Sequence, residues 1–235
     1  MLIDYKTIYL STKNTKISDW VIYKNNQLIA FNKPAGIPIQ PDKTEAKSLL
    51  ELGEIYAKSK VFVIHRIDRP ASGVILFAKS KKGLTQLNAQ FQARTIQKTY
   101  LVVVKNPPAE EKGRLIHYLR KNEKSNKTQV FDEPIKGGKE AILNYQIIGK
   151  SDNYSLLEID LETGRHHQIR AQLAKIGSPI KGDVKYGARR SNKDRSIHLH
   201  AWKLGFQHPV TSEKVELVAD MPDDAIWNFF RMEMR

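Results

Sequence analysis

An α+β fold, read as a single domain over residues 1–235, is predicted by three observations. Apolar runs of strand length recur along the chain. Helical stripes of leucine, isoleucine and phenylalanine are interspersed between them, and no repeat, low-complexity tract or linker divides the pattern. With 40% hydrophobic residues in 235, the chain is long enough to bury a sizeable core.

The first two strands are expected at Trp20 to Tyr23 and Gln27 to Asn32, forming a hairpin around Lys24-Asn25-Asn26. "NKPAGIPIQPD" follows, with three prolines and a glycine in eleven residues, and so reads as a shaped loop. Leu49, Leu52 and Tyr56 then mark one face of a short helix. In "HRIDRPASGVILFAKS", residues 65–80, Gly73 to Ala78 is an uninterrupted apolar strand of the kind buried on both faces, and Asp68 lies on the loop entering it. Leu84, Leu87 and Phe91 mark the next helix, and "KTYLVVV" at 98–104 the next strand. Residues 105–139, rich in Lys, Asn, Gly and Pro, are expected to form short strands with exposed loops and to offer no chemistry. Strands follow at Ala141 to Ile148 and Tyr154 to Leu161. In "TGRHHQIRAQLAKIGSP", Ile169, Leu173 and Ile176 form a helical stripe that ends at Gly177 and Pro179. The last third carries strands in "SIHLHAWKLGF" and "KVELVAD", then a helix capped by Asp223.

Lysine and arginine number 39 against 25 acidic residues, a net charge of +14, which suits a protein that neutralises phosphate backbones. Basic membrane-surface proteins share that balance. The absence of cysteine excludes disulfides, thiolate zinc sites and cysteine nucleophiles, and suits a reducing compartment. No basic start followed by a long apolar run opens the chain, and no stretch approaches the roughly 18 apolar residues of a membrane span. A cytoplasmic protein without a membrane partner is expected.

Two segments stand out chemically. Asp68 sits between Arg66 and Arg69 with His65 before them; taken alone, that pattern also describes a surface aspartate paired with its neighbours. Arg165, His166 and His167 crowd the start of a predicted helix, where the dipole disfavours positive charge, so a compensating anion is expected there. That anion is a phosphate or a carboxylate from elsewhere in the fold; a solvated basic turn is the plainer alternative. "HRID" does not match a kinase catalytic loop, because Asp does not follow Arg directly and no glycine-rich nucleotide loop exists. His198 and His200, with His65, His166 and His167, are the remaining metal candidates, but neither cysteine nor a helical H-x-x-x-H pair supports them. No metal or cofactor is expected.

"HRIDRPASGVILFAK", "KTYLVVV", "TGRHHQIRAQLAKIGSPIKGDVKYG" and "HLHAWKLGFQHPVT" resemble, in order and spacing, the RluA-type RNA pseudouridine synthases, and "LIAFNKPAGIPIQP" is similar to that family's N-terminal segment. The resemblance covers most of residues 20–220. It implies a mixed, mostly antiparallel sheet with flanking helices and a central catalytic cleft. It also implies roles: Asp68 as the catalytic aspartate, Arg66 as the side chain that helps extrude the target nucleotide, Tyr100 as the ring against the uracil, and Arg170 as the partner that orients Asp68. Pro70 and Ala71 stand where many members have Asp and Thr, which bears on substrate choice more than on activity.

The chemistry fits these residue types. Uridine becomes pseudouridine when the bond from ribose to N1 breaks and C5 is joined to the same sugar carbon, with no redox change. A carboxylate near sugar and base serves as nucleophile or as stabiliser of an oxocarbenium-like centre, and an arginine beside it favours its charged form. Extruding the base costs a few kcal/mol and calls for a side chain to fill the gap and an aromatic to receive the base. His65, Arg69, Lys98, Arg165 and His167 are the expected RNA-binding residues; Lys79, Lys81, Lys82, Arg189 and Arg190 are weaker candidates for phosphate contacts. Too few residues precede the first strand for the small S4-type RNA-binding domain of many relatives, so this domain is expected to recognise its rRNA or tRNA stem-loop itself, with no obligatory protein partner. Two readings compete: an RNA-binding or RNA-folding factor on the same scaffold, and a nucleoside or glycoside hydrolase, which lacks an evident second acid at a motif position.

Overall fold

The structure is a computed structural model that describes residues 16–44 and 46–234. After a 3-10 turn at Ile17–Trp20, the elements run β1 Val21–Lys24, β2 Leu28–Lys33, α1 Leu49–Ala57, β3 Phe62–Val63, β4 Ser72–Ala78, α2 Lys81–Gln92 and β5 Gln97–Val104. The second half comprises β6 Lys112–Asn122, β7 Lys127–Phe131, β8 Lys139–Lys150, β9 Ser155–Leu161, α3 Gln168–Lys175, a 3-10 turn at Val184–Tyr186, β10 Leu199–Gln207, β11 Lys214–Val218 and α4 Ala225–Glu233.

The strands make one eleven-stranded sheet in the order β1-β2-β4-β10-β5-β9-β8-β6-β7, with β11 paired to β10 and β3 to β4. Every pairing between described strands is antiparallel except β4 with β10, which meet in parallel at Ser72–His200 and Gly73–Ala201. The expected α+β architecture is therefore present.

Burial on both faces explains the apolar strands. Val74 and Leu76 of β4 pack with Leu87 of α2, while Ile75 and Phe77 pack on the other face with Leu49 and Leu52 of α1. Alternation within β5 likewise sends Val102 and Val104 towards Ile169 and Leu173 of α3, and Leu101 and Val103 towards Trp227 and Phe230 of α4. Each helix covers its own stretch of sheet.

Local chemistry fixes the helix starts. Ser48 and Glu51 form a reciprocal capping box at α1, and Ser80 caps α2. The last helix is capped by Asp224, one residue beyond the expected Asp223: its Oδ1 accepts the amides of Ile226 and Trp227 at 2.9 Å. Asp223 instead accepts from the Asn228 side chain. A larger departure concerns residues 105–139. β6 is eleven residues long, pairs with β8 on one side and β7 on the other, and the β6–β7 hairpin carries Lys121 and Asn126 to the wall of the central cleft. The polar composition reflects partial exposure of the hairpin and conceals its strand length.

Candidate active site

The loop between β3 and β4 delivers Asp68 to the floor of a cleft of about 1060 Å3, opposite the start of α3. The three charged residues of the "RIDR" segment have three separate destinations. Arg66 is exposed along the cleft, and its side chain makes no hydrogen bond or ion pair among the described residues. Arg69 turns the other way and holds the proline-rich loop, donating to the Gly36 carbonyl at 2.8 Å, Asp42 at 3.0 Å and Thr44 at 3.2 Å.

Asp68 meets Arg170, whose Nη1 donates to Asp68 Oδ2 at 2.9 Å. Arg170 is fixed in turn by Asp183, which accepts from Nε at 2.6 Å and Nη2 at 2.8 Å, and by the Tyr186 ring, 5.0 Å from the guanidinium carbon. The Asp183 side chain is only 1% exposed. Burial works against the charge on Arg170, yet the hydrogen bonds to Asp183 and the charge of Asp68 outweigh it and push its pKa above the usual arginine value. The anion expected at the start of α3 is thus a carboxylate: His167 Nε2 also lies 3.8 Å from Asp68 Oδ2.

Tyr100, on β5, lines the same cleft; burial first, and then the charge of Asp68, push its hydroxyl pKa up, so it stays protonated. Lys98, two residues earlier, is lowered to about 8 by burial and by Arg94 and Arg165. Arg165 lies in the wall and donates from Nε to the Glu140 carbonyl at 2.8 Å. His65 also lines the cleft, but its Nε2 accepts the Leu76 amide at 3.1 Å and its ring stacks on Phe91. Burial, then Lys98, lower its pKa to about 4. Lys79, Lys81, Lys82, Arg189 and Arg190 are not in the cleft wall.

Several residues of the site were given no role from the sequence. Lys33 is fully buried, and its ammonium donates to the carbonyls of Pro34, Ile37 and Arg69 at 2.9, 3.0 and 3.2 Å, tying the proline-rich loop to the Asp68 loop. Burial lowers its pKa to about 7, with Asp68 opposing that shift and Arg69 adding to it. Asp183, Tyr186 and Thr128 support Arg170 and the histidines. His198, just before β10, and His200, within it, both pack their rings against Trp227, and His200 bonds Ser72 and the Ala219 carbonyl. Among the described residues no cluster of three His, Cys, Asp or Glu side chains is arranged to hold a metal ion.

A family model described as RNA pseudouridylate synthase matches residues 27–175, a span that contains Asp68, Tyr100 and Arg170. The chain belongs to the RNA pseudouridylate synthase family. Its relatives include the tRNA pseudouridine synthase C of Haemophilus ducreyi, 33% identical over 85% of this chain and 89% of the relative. The tRNA pseudouridine synthase C of Vibrio parahaemolyticus is 31% identical over 91% and 94%. The Bacillus subtilis RNA pseudouridine synthase YlyB is 30% identical over 87% of this chain and 69% of its own. The fold agrees with human RNA pseudouridylate synthase domain containing 4, at a TM-score of 0.75 and 22% identity over 92% of this chain and 94% of that one. This pseudouridine synthase is an isomerase that converts uridine in RNA to pseudouridine. Among the described residues, no helix is long and apolar enough to cross a membrane.

Proposed function

We propose that this synthase isomerises a specific uridine of a structured RNA with Asp68 as its working carboxylate. The observation that carries the reading is the Asp68–Arg170 pair, 2.9 Å apart in a cleft that also holds Tyr100. In the reaction the N1–C1′ bond breaks and C5–C1′ forms, one proton leaves C5 and one arrives at N1. A carboxylate that engages sugar or base is the group this exchange needs, and no electron acceptor enters the balance.

Arg66, exposed in the cleft and unpaired among the described residues, fills the gap left by the extruded nucleotide, and neutral Tyr100 receives the base. Lys98 and Arg165 meet phosphates at the wall. His65 and Arg69 serve binding indirectly, through the packing of the cleft and the shape of the proline-rich loop. Transfer RNA is the first substrate class to test, because relatives along nearly the whole chain carry tRNA in their names.

The experiment is a pseudouridine map of total RNA from cells lacking this protein, complemented with the native chain or with Asp68→Asn. A site that disappears and returns only with the native chain supports the reading and identifies the RNA. Restoration by Asp68→Asn overturns the role of Asp68, and an unchanged map overturns the proposed substrate.

A further inference from the structure

Two imidazoles stack at the start of α3: the His166 and His167 rings lie 3.7 Å apart with 27° between their planes. Thr128, on β7, decides where their protons sit. Its Oγ1 lies 2.8 Å from the His166 carbonyl oxygen and 2.9 Å from His166 Nδ1. A hydroxyl has one hydrogen and a carbonyl only accepts, so the Thr128 proton goes to the carbonyl and His166 Nδ1 supplies its own. His166 therefore leaves Nε2 bare.

His167 is set the opposite way. Tyr186 Oη accepts the Thr128 amide at 2.7 Å and lies 2.9 Å from His167 Nδ1. Among the described residues His167 Nδ1 is the acceptor that the Tyr186 hydroxyl proton meets, so Nδ1 is bare and the ring hydrogen is on Nε2. That Nε2–H faces Asp68 Oδ2, 3.8 Å away, the oxygen already held by Arg170. Asp68 Oδ1 has no partner among the described residues. A positive ring is disfavoured here: burial, then Arg170, His166, Lys185 and Lys121, lower the His167 pKa to about 2.

We infer that His167 is a neutral positioning residue, locked by Tyr186 with its proton on Nε2, whose N–H joins Arg170 in holding Asp68 Oδ2 and leaves Oδ1 as the reacting oxygen. This rests on Asp68 being the working carboxylate. The 3.8 Å separation is longer than a hydrogen bond in the free enzyme, and such contacts commonly tighten when substrate enters. His167 itself has a left-handed backbone, φ 49°, which turns the chain so that the ring faces Asp68 as α3 begins.

The tautomer is read directly from long-range 1H–15N correlations of the full chain labelled with 15N-histidine, at neutral pH. The expected result is Nε2–H for His167 and Nδ1–H for His166, with a mixture at His167 in Tyr186→Phe. A His167 that carries its proton on Nδ1, or is doubly protonated, overturns the proposal.

Kinetics supply the second readout. His167→Leu is expected to lower kcat about ten-fold or more with KM changed less than about two-fold, and His167→Gln, which retains an N–H donor, to recover most of that loss. Unchanged kcat in folded His167→Leu, or in Tyr186→Phe if the leucine variant fails to fold, overturns the proposal while leaving Asp68 in its role. An active Asp68→Asn sinks the role of Asp68 itself, and leaves the tautomer result standing.

Discussion

Asp183 binds Arg170 through two parallel hydrogen bonds, of 2.6 and 2.8 Å, and so commits Nε and Nη2 while leaving Nη1 to reach Asp68. The buried pair sets the guanidinium plane. Asp183→Ala leaves Arg170 buried with one carboxylate in place of two, and removing one partner of such a pair typically costs about 3–5 kcal/mol. The expected outcome is a lower denaturation midpoint together with a large fall in kcat. A variant of native stability with native kcat would disprove the anchoring role.

Gly73 permits the approach of β4 to β10. Its φ is +116°, and a Cβ there would collide with the backbone carbonyl and amide of Ala201. Gly73→Ala is expected to destabilise the chain by about 4 kcal/mol or more, since neither strand backbone can yield. Urea denaturation of soluble Gly73→Ala checks this, and a shift under about 1 kcal/mol would contradict it.

Arg66 is exposed in the cleft with no side-chain partner among the described residues, and in its proposed role it enters the RNA stack. Arg66→Ala is predicted to lose most activity on a paired uridine and much less on an RNA in which that uridine is already unstacked, because the few kcal/mol of extrusion are then spared. Equal losses on the two RNAs would assign Arg66 to plain phosphate binding.

In its proposed role against RNA phosphate, Lys98 gives RNA affinity a pH dependence of defined direction. With its pKa lowered to about 8, the free side chain is charged below that value and neutral above it. Phosphate contact favours the charged form, so affinity holds below about pH 8 and weakens as pH rises through it. Binding titrations from pH 7 to pH 9 are expected to show this decline in the native chain and a flatter profile in Lys98→Gln. An identical slope in the two would remove Lys98 from the interface.

Much of the scaffold was legible because its signals are local. The apolar run at β4 announced burial on both faces, and the Leu84, Leu87 and Phe91 stripe announced α2. The basic turn before α3 read either as an anion site or as a solvated turn; the carboxylate near it is Asp68, 3.8 Å from His167, and the Asp68–Arg170 contact joins residues 102 positions apart and so leaves no local signal. Only the resemblance to a family supplied that pairing in advance. The β6–β7 hairpin was misread because polar strands at a cleft edge have the composition of loops. Thr128 was silent, and Lys33, Asp183 and Tyr186, though inside the segments that carry the resemblance, received no role, for a related reason: a hydroxyl, an acid or an ammonium acquires its role from partners that the chain brings close only when folded.

The parallel seam between β4 and β10 has a consequence for how the protein reaches its working state. Ser72 and His200, joined there by a 2.8 Å hydrogen bond, are 128 positions apart, so the seam closes one of the longest loops in the chain. Hairpins such as β6–β7 form from neighbours and close early, whereas distant pairings wait for the entropy of loop closure to be met. Asp68 is delivered by the strand on one side of this seam and Tyr100 by a strand on the other, with Arg170 docked beyond. With Asp68, Tyr100 and Arg170 in their proposed roles, catalytic competence emerges as a late event of refolding, after most secondary structure has returned, and a chain arrested short of that event would be well structured yet inert.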